Sequence, residues 1–228
     1  VATGIAMEGN IAVTYSIANF PTLRCLEQIR NDCAYHNANV KVVCVGGGFV
    51  YGSLGMSHHA TEDIAIMRAL PNVTVVAPGD LVEAACATKA IYETPGTCYL
   101  RLGRGGEKQI HESIDNFEIG KAIKIKDGKN IALFSTGAIF DEVDEACKVL
   151  AEEGITPTVY TFPTVKPIDK ETIKKCAESH TIIVTCEENN IVGGFGSAVS
   201  EVMADNGLNS KLIRLGIDDT FCGTVGDQ

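Results

Sequence analysis

The stretch VKVVCVGGGFVYGSLGMSHHATEDIAIMRALPN, from Val40 to Asn72, decides the fold class. It opens with a short apolar run, Val40 to Val45, whose β-branched residues predict a buried strand. Three glycines, Gly46 to Gly48, follow directly, and a helical pattern begins after Thr61. A strand, a glycine-containing loop and a helix in this order form the repeating unit of an α/β fold with a parallel sheet.

The same alternation continues on both sides of this stretch. The sequence predicts eight short, mostly apolar strands: Ile11 to Tyr15, Val40 to Val45, Val73 to Ala77, Thr97 to Leu102, Ile131 to Ser135, Thr158 to Phe162, Thr181 to Cys186 and Lys211 to Leu215. Strands that are apolar almost throughout are typical of a sheet covered by helices on both faces. We therefore expect an α/β protein with mainly parallel sheets flanked by helices.

A polar segment between Gly103 and Phe117 interrupts this rhythm, with three glycines and alternating charges. We interpret it as a linker between two α/β domains. The predicted boundaries are residues 1–105 for the first domain, 106–118 for the linker and 119–228 for the second domain.

Two of the predicted helices have readable ends. Asp80-Leu81-Val82-Glu83 resembles a capping box, with Asp80 as the N-cap and Glu83 reaching back. This helix should stop near Thr94-Pro95-Gly96, because proline cannot continue it. The helix after Thr136-Gly137 carries an apolar stripe at 3.6-residue spacing and should end at Gly154.

Composition excludes several classes of function. The 228 residues carry 19 Lys plus Arg against 29 Asp plus Glu, and a net charge of -10 disfavours nucleic acid or an anionic membrane as a partner. No apolar run approaches the roughly 20 residues of a membrane helix. Nine cysteines without a C-x-x-C pair or a zinc spacing predict buried free thiols, a reducing compartment and hence the cytoplasm, with no metal site.

The loop after the decisive strand contains candidate site residues. Glycines at Gly46 to Gly48 suit either a tight turn or the close approach of a ligand, but their order does not match G-x-G-x-x-G. His58 and His59 are adjacent, so their side chains should point apart and are poorly placed to share a metal. One of them could carry a proton or donate a hydrogen bond.

Two arginines, Arg101 and Arg104, lie at the carboxyl end of the strand Thr97 to Leu102. Ligands of open α/β sheets bind at that edge, and the planar guanidinium suits a phosphate. A solvated pair of cations explains the same residues equally well. The carboxylates Glu187 and Glu188 precede a glycine-rich helix start, and we interpret them as structural or interface residues because they disfavour a phosphate there.

Taken together, several segments resemble the transketolase family. The pyrimidine-binding domain of transketolases is similar to YSIANF, EQIRND, GSLGMSHHATEDIAIMRALPN, VVAPGD and YLRLGR, in this order between Tyr15 and Arg104. The C-terminal domain of the family resembles STGAIFDEV, PTVKPID and EENNIVGGFGSAVSE. The likeness is closest to split transketolases, whose two sections can be separate polypeptides.

This resemblance implies thiamine diphosphate and magnesium as cofactors, bound between subunits. It implies that Phe20 packs on the pyrimidine, that His58 faces the donor sugar as a catalytic and substrate-binding residue, and that Arg104 binds the sugar phosphate. Arg101 aligns with an arginine of the deoxyxylulose-phosphate synthases, and His59 has no counterpart. The implied partners are a diphosphate-binding subunit, a second copy in a dimer or α2β2 assembly, and sugar phosphates.

Three departures from the family pattern accompany the resemblance. The family's glutamate that acts on the pyrimidine ring belongs upstream of Val1, so we expect the chain to be trimmed and its site to be incomplete alone. The diphosphate- and metal-binding domain is absent from this sequence. Leu54 stands where the family often has an aspartate that contacts sugar hydroxyls.

The sequence therefore predicts the C-terminal section of a transketolase, which transfers a two-carbon ketol unit from a ketose phosphate to an aldose. Two alternatives within enzymes are a deoxyxylulose-phosphate synthase and the β-subunit of a 2-oxoacid dehydrogenase. A non-catalytic assembly subunit with the same fold is a third, since one fold hosts many functions.

Overall fold

Two five-stranded sheets organise the chain. The computed structural model describes residues 1–226 and residue 228. Its strands are β1 Ala12–Ile17, β2 Val40–Val45, β3 Val73–Val76, β4 Thr97–Leu102, β5 Ile123–Lys126, β6 Ile131–Thr136, β7 Thr158–Thr161, β8 Thr164–Lys166, β9 Ile182–Asn190 and β10 Lys211–Ile217. All eight predicted strands are present, although β9 continues past Cys186 to Asn190.

Helices connect the strands. They are α1 Ala2–Met7, α2 Leu26–Gln28, α3 Asp63–Ala69, α4 Leu81–Glu93, α5 Phe140–Glu152, α6 Lys170–Ser179 and α7 Phe195–Asp205. Two π-helical turns, Phe20–Arg24 and Ile29–Ala34, flank α2 and form a helical segment with it that a turn at Cys25 interrupts.

The first sheet has the order β1-β2-β4-β3-β8, and the second has the order β10-β9-β6-β7-β5. All pairings are parallel except β3 with β8 and β5 with β7, which are antiparallel. The expectation of two mainly parallel sheets flanked by helices is thus confirmed.

The first half contributes the four strands that the sequence predicts, but the second half contributes six, because β5 and β8 were not predicted. β5 alternates isoleucine with lysine at the edge of its sheet, so it has no continuous apolar run to mark it. β8 has three residues, and it leaves the second half of the chain to pair with β3 of the first. Each sheet therefore gains one antiparallel strand.

One apolar core runs through both halves. Its main cluster joins Ile64 and Tyr99 from the first half to Phe134, Phe162 and Phe195 from the second. The rings of Phe134 and Phe195 both lie against Phe162, with centroid distances of 4.8 and 5.3 Å. The two sheets are therefore packed through shared side chains as well as joined by the linker.

The predicted helix ends are confirmed. The amide of Glu83 donates to the carboxylate of Asp80 at 2.8 Å, which makes Asp80 the N-cap of α4. Glu83 reaches back one residue further than expected, to the amide of Gly79 at 2.6 Å. α4 ends at Glu93, and Gly154 follows the end of α5 with a φ of 75°.

All nine cysteines are free thiols, and six of them are buried. Among the described residues, no helix has the length and apolar character needed to cross a membrane.

Candidate functional site

The segment from Gly48 to Ala60, here called the His58 loop, leaves the first sheet just after β2. Reciprocal backbone hydrogen bonds of 2.8 and 2.9 Å between Gly48 and Ala60 close its base. Within it, two 3-10 turns, Gly52–Leu54 and Met56–His58, tighten the chain. Gly48 has a φ of 64°, and a Cβ there would collide with the side chain of Glu188. A residue other than glycine would therefore strain the base of the loop.

At the far side of this loop, His58 meets Phe20. Their rings contact edge to face, with centroids 5.2 Å apart and planes at 61°. The Asn19 side chain donates to the Ser57 carbonyl at 2.5 Å, which links the Phe20 segment to the loop beside His58. The structure thus brings together two residues that lie 38 positions apart in the sequence.

The Phe20 ring is half-buried, and a cation lies over one of its faces. The guanidinium carbon of Arg24 lies 4.0 Å from the ring centroid, a cation–π contact. A cavity of about 270 Å³ adjoins this region and is lined in part by Asn19, Leu23 and Met56. Phe20 and His58 do not line this cavity themselves; the half-exposed ring and the imidazole beside it offer an aromatic contact and a hydrogen-bonding group.

Arg104 lies exposed on the loop that follows β4. Its guanidinium carbon is 5.6 Å from the centroid of the Tyr51 ring, which belongs to the His58 loop. The backbone amides of Arg104 and Gly105 both donate to Glu107, at 2.9 and 3.2 Å. Glu107 therefore fixes the backbone at Arg104. The exposed guanidinium of Arg104 is free to bind an anion from solvent.

Arg101, expected beside a phosphate, points instead into the protein. Its side chain is 4% exposed and its Nε lies 2.9 Å from a carboxylate oxygen of Asp63. Its Nη2 donates to the carbonyls of Ala60 at 3.0 Å and Glu188 at 2.8 Å. Burial acts to lower the pKa of Arg101, but Asp63, Tyr99 and Glu188 raise it above its ordinary value, so this cation stays charged. The sequence could not reveal this, because arginine suits a buried carboxylate as well as a phosphate.

His59 has different ring contacts from His58, which ends the 3-10 turn Met56–His58. It is buried against Phe49, with ring centroids 5.0 Å apart at 88°. Its Nε2 lies 3.5 Å from the carbonyl oxygen of Gly52. His59 therefore fills the interior of the His58 loop.

Glu187 and Glu188, interpreted from the sequence as structural, have different contacts. Glu187 accepts hydrogen bonds from the amides of Phe195 at 2.6 Å and Gly196 at 2.8 Å, at the first turn of α7. The side chain of Glu188 is buried against Gly48 and accepts from the amide of Phe49. Both contacts of Glu188 are at the base of the His58 loop, and they agree with the interpretation of Glu187 and Glu188 as structural or interface residues.

These residues fit one end of thiamine diphosphate. The half-exposed Phe20 ring offers an apolar contact for the aminopyrimidine. In the part of the chain that the structure describes, no group of three His, Cys, Asp or Glu side chains is arranged to hold a metal.

Comparison with family models divides the chain in two. Residues 1–107 match the pyrimidine-binding domain of transketolase, and residues 120–225 match the transketolase C-terminal domain.

Among curated proteins, a relative from Methanocaldococcus jannaschii, provisionally assigned as a transketolase C-terminal section, is 42% identical over 97% of this chain and 70% of its own length. A subunit of the apulose-4-phosphate transketolase of Phocaeicola vulgatus is 34% identical over 94% of this chain and 69% of its own length. A 1-deoxy-D-xylulose-5-phosphate synthase from Chlorobium luteolum is also 34% identical, over 96% of this chain but 35% of its own length.

Among solved structures, a split-gene transketolase in the form of an inactive β4 tetramer superposes with a TM-score of 0.89. It is 34% identical, and the match covers 96% of this chain and 71% of that one.

Proposed function

Since this chain belongs to the transketolase family, with its pyrimidine-binding domain followed by its C-terminal domain, we propose that it is the C-terminal subunit of a split transketolase. In the proposed reaction a two-carbon ketol unit passes from a ketose phosphate to an aldose. The relatives that support this are a C-terminal section and a transketolase subunit, matched over 70% and 69% of their respective lengths.

The observation that carries the proposal is the contact of Phe20 with His58. The aromatic ring and the imidazole meet with their centroids 5.2 Å apart. The exposed Arg104 approaches the same loop through Tyr51. A site for a heteroaromatic cofactor, a sugar oxygen and a phosphate requires these three kinds of group.

When bound, thiamine diphosphate supplies the electron sink that lets a carbon–carbon bond of the sugar break. Phe20 would pack on the aminopyrimidine and exclude water from it. His58 would hold or move a proton at an oxygen of the donor sugar, which is within the ordinary range of imidazole chemistry. Arg104 would bind the sugar phosphate through charge-assisted hydrogen bonds.

The proposed partner is the diphosphate-binding subunit, which would hold the magnesium and the diphosphate. A dimer or an α2β2 assembly follows from a site that two polypeptides share, because closed symmetric assemblies complete every copy of such a site. The free thiols support a reducing compartment, and we place the assembly in the cytoplasm.

The test is a donor-cleavage assay. The gene product that contains this sequence is mixed with the diphosphate-binding subunit, thiamine diphosphate and magnesium, and xylulose 5-phosphate is the donor. We expect glyceraldehyde 3-phosphate to be released only when both polypeptides are present. No release from an assembled, cofactor-bound complex would contradict the proposal.

A second candidate is supported by the synthase from Chlorobium luteolum, which is 34% identical over nearly the whole chain. A deoxyxylulose-phosphate synthase, like the β-subunit of a 2-oxoacid dehydrogenase, would use a 2-oxoacid as donor. Replacing xylulose 5-phosphate by pyruvate in the same assay separates these candidates. A complex that binds the cofactor and cleaves neither donor would favour a non-catalytic assembly subunit.

A further inference from the structure

We propose that Arg101 is a positioning residue, which fixes the His58 loop to α3 and to the second domain so that His58 keeps its place. The inference deepens the proposed function, since it concerns the placement of a residue of the proposed site. It replaces the phosphate-binding role that the sequence suggested for Arg101.

The first support is the contact at the base of the loop. The Nη2 of Arg101 donates to the Ala60 carbonyl, the residue that closes the His58 loop, and to the Glu188 carbonyl of β9. One guanidinium nitrogen therefore bridges the loop and the second sheet. Both acceptors are buried beside a cation, where water cannot take the place of either hydrogen bond.

The second support is the ion pair with α3. The same carboxylate oxygen of Asp63 accepts from Arg101 Nε at 2.9 Å and from the Tyr99 hydroxyl at 2.6 Å. Asp63 is the first residue of α3, so this pair sets where the helix begins after the loop. Because both side chains are almost fully buried, the pair can adopt few other geometries without leaving a charge unpaired.

The third support is a set of neighbouring contacts between the second domain and the same region. The Asn190 amide donates to the Thr61 carbonyl at 2.6 Å, and the Glu188 carboxylate accepts from the Phe49 amide. At the other end of α3, Arg68 donates to the Gly193 carbonyl at 2.7 Å. The second domain thus holds the loop base and both ends of the helix that follows it.

The functional consequence concerns the position of His58 relative to the cofactor. His58 belongs to a loop that must meet a cofactor held partly by another polypeptide, so its position has to be set within this chain beforehand. A displacement of about 1 Å at such a residue can cost about 100-fold in rate. A phosphate-binding arginine would act differently, because its loss would weaken substrate binding.

The experiment compares hydrogen–deuterium exchange in the wild-type chain and in Arg101→Lys. Lysine keeps the charge opposite Asp63 but lacks the planar fork that bridges Ala60 and Glu188. We expect amides of residues 48–60 to exchange at least about tenfold faster, while amides of β2 and β4 stay unchanged. This measurement needs neither cofactor nor substrate, so its result stands even if the transketolase assay fails.

A matched control is Glu201→Gln, which removes a different contact of the second domain with α3. Arg68, in the last turn of α3, forms an ion pair with Glu201 at 2.5 Å, so this variant should leave the exchange of residues 48–60 unchanged. Unchanged exchange in Arg101→Lys, or an equal increase in every segment, would overturn the inference.

If Arg101→Lys does not fold, Asp63→Asn serves as the second variant, since it keeps the size of Asp63 but removes the charge that pairs with Arg101. The loop amides must again exchange selectively faster, and their failure to do so overturns the inference. In the assembled enzyme, a positioning role predicts that Arg101→Lys lowers kcat about 100-fold with little change in the KM of the phosphorylated donor. A raised KM with an unchanged kcat would assign Arg101 to the phosphate instead.

Discussion

The hydroxyl of Thr161 donates a hydrogen bond of 2.5 Å to the buried carboxylate of Glu83. Thr161 is the last residue of β7 in the second sheet, and Glu83 lies in the first turn of α4 beside the first sheet. The other oxygen of Glu83 accepts from the Gly79 amide. One carboxylate therefore secures a helix start and the contact between the two halves.

We expect Thr161→Val to destabilise the protein by about 1 to 3 kcal/mol, because it leaves a buried oxygen of the Glu83 side chain without its hydrogen-bond donor. Urea unfolding followed by circular dichroism measures the change. Thr88→Val is the control, since the exposed Thr88 hydroxyl bonds only to the carbonyl of Ala84 in its own helix. If both variants lose the same unfolding free energy, the contact of Thr161 with Glu83 does not stabilise the protein specifically.

Glu187 predicts a pH dependence of stability. Burial raises the pKa of Glu187 from its ordinary value of 4.5 to about 7, against the lowering effect of the Gly196 and Phe195 amides. The folded protein then binds this proton more tightly than the unfolded chain does. The contribution of Glu187 is therefore most favourable below pH 4.5 and is lost as the pH rises towards 7.

We expect the unfolding free energy of the wild type to fall between pH 5 and pH 7.5, by up to about 3 kcal/mol from this group. Glu187→Gln should show a flatter profile in the same window, measured by urea unfolding at several pH values. The exposed Glu178 provides the comparison, because Glu178→Gln should keep the wild-type slope. If Glu187→Gln keeps it too, the titrating group is another residue.

Arg104→Gln should weaken the binding of phosphorylated donor in the assembled enzyme. Loss of a charge-assisted hydrogen bond of about 1.5 to 3 kcal/mol corresponds to a rise in KM of roughly 10- to 150-fold. The same ketose without its phosphate should show little change. Arg30→Gln, which alters another exposed arginine, should affect neither donor. An equal loss of affinity for both donors would show that Arg104 does not bind the phosphate.

Phe20→Leu should weaken the affinity for thiamine diphosphate, because leucine preserves apolar contact but not an aromatic face. A stacking contribution of about 0.5 to 1.5 kcal/mol corresponds to roughly 2- to 12-fold weaker binding. Calorimetric titration of the assembled subunits with the cofactor measures it. Tyr35→Leu, a change at an exposed aromatic just beyond the same helical segment, should bind as the wild type does. Unaltered affinity in Phe20→Leu would place the pyrimidine elsewhere.

The sequence predicted well where local pattern and tertiary environment agree. The bounds of β2 and β4 were correct because both strands are apolar runs followed by glycine. β8 could not be found locally, since its three residues become a strand only by meeting β3. The local pattern also did not predict the ion pair between Asp63, at the start of α3, and Arg101 of β4.

The candidate site shows the same division. The family resemblance suggested Phe20 and His58 separately, and their edge-to-face contact is a product of the closed loop. Arg101 and Arg104 lie three positions apart, yet one is buried in an ion pair and the other is exposed. Arg101 points inward because the carboxylate of Asp63 lies beside it in the folded chain, and the local sequence does not show that proximity.

Because β8 of the second half completes the first sheet, the two domains of such proteins cannot be recombined independently. A chimera joined within residues 106–118 would give the first sheet a foreign Thr164–Lys166 strand, whose side chains must suit Val75 and Val76 of β3. The same cut, used to express residues 1–105 alone, would expose β3 as an open edge that invites pairing between molecules. In a chimera, the two domains should therefore be exchanged together as one unit.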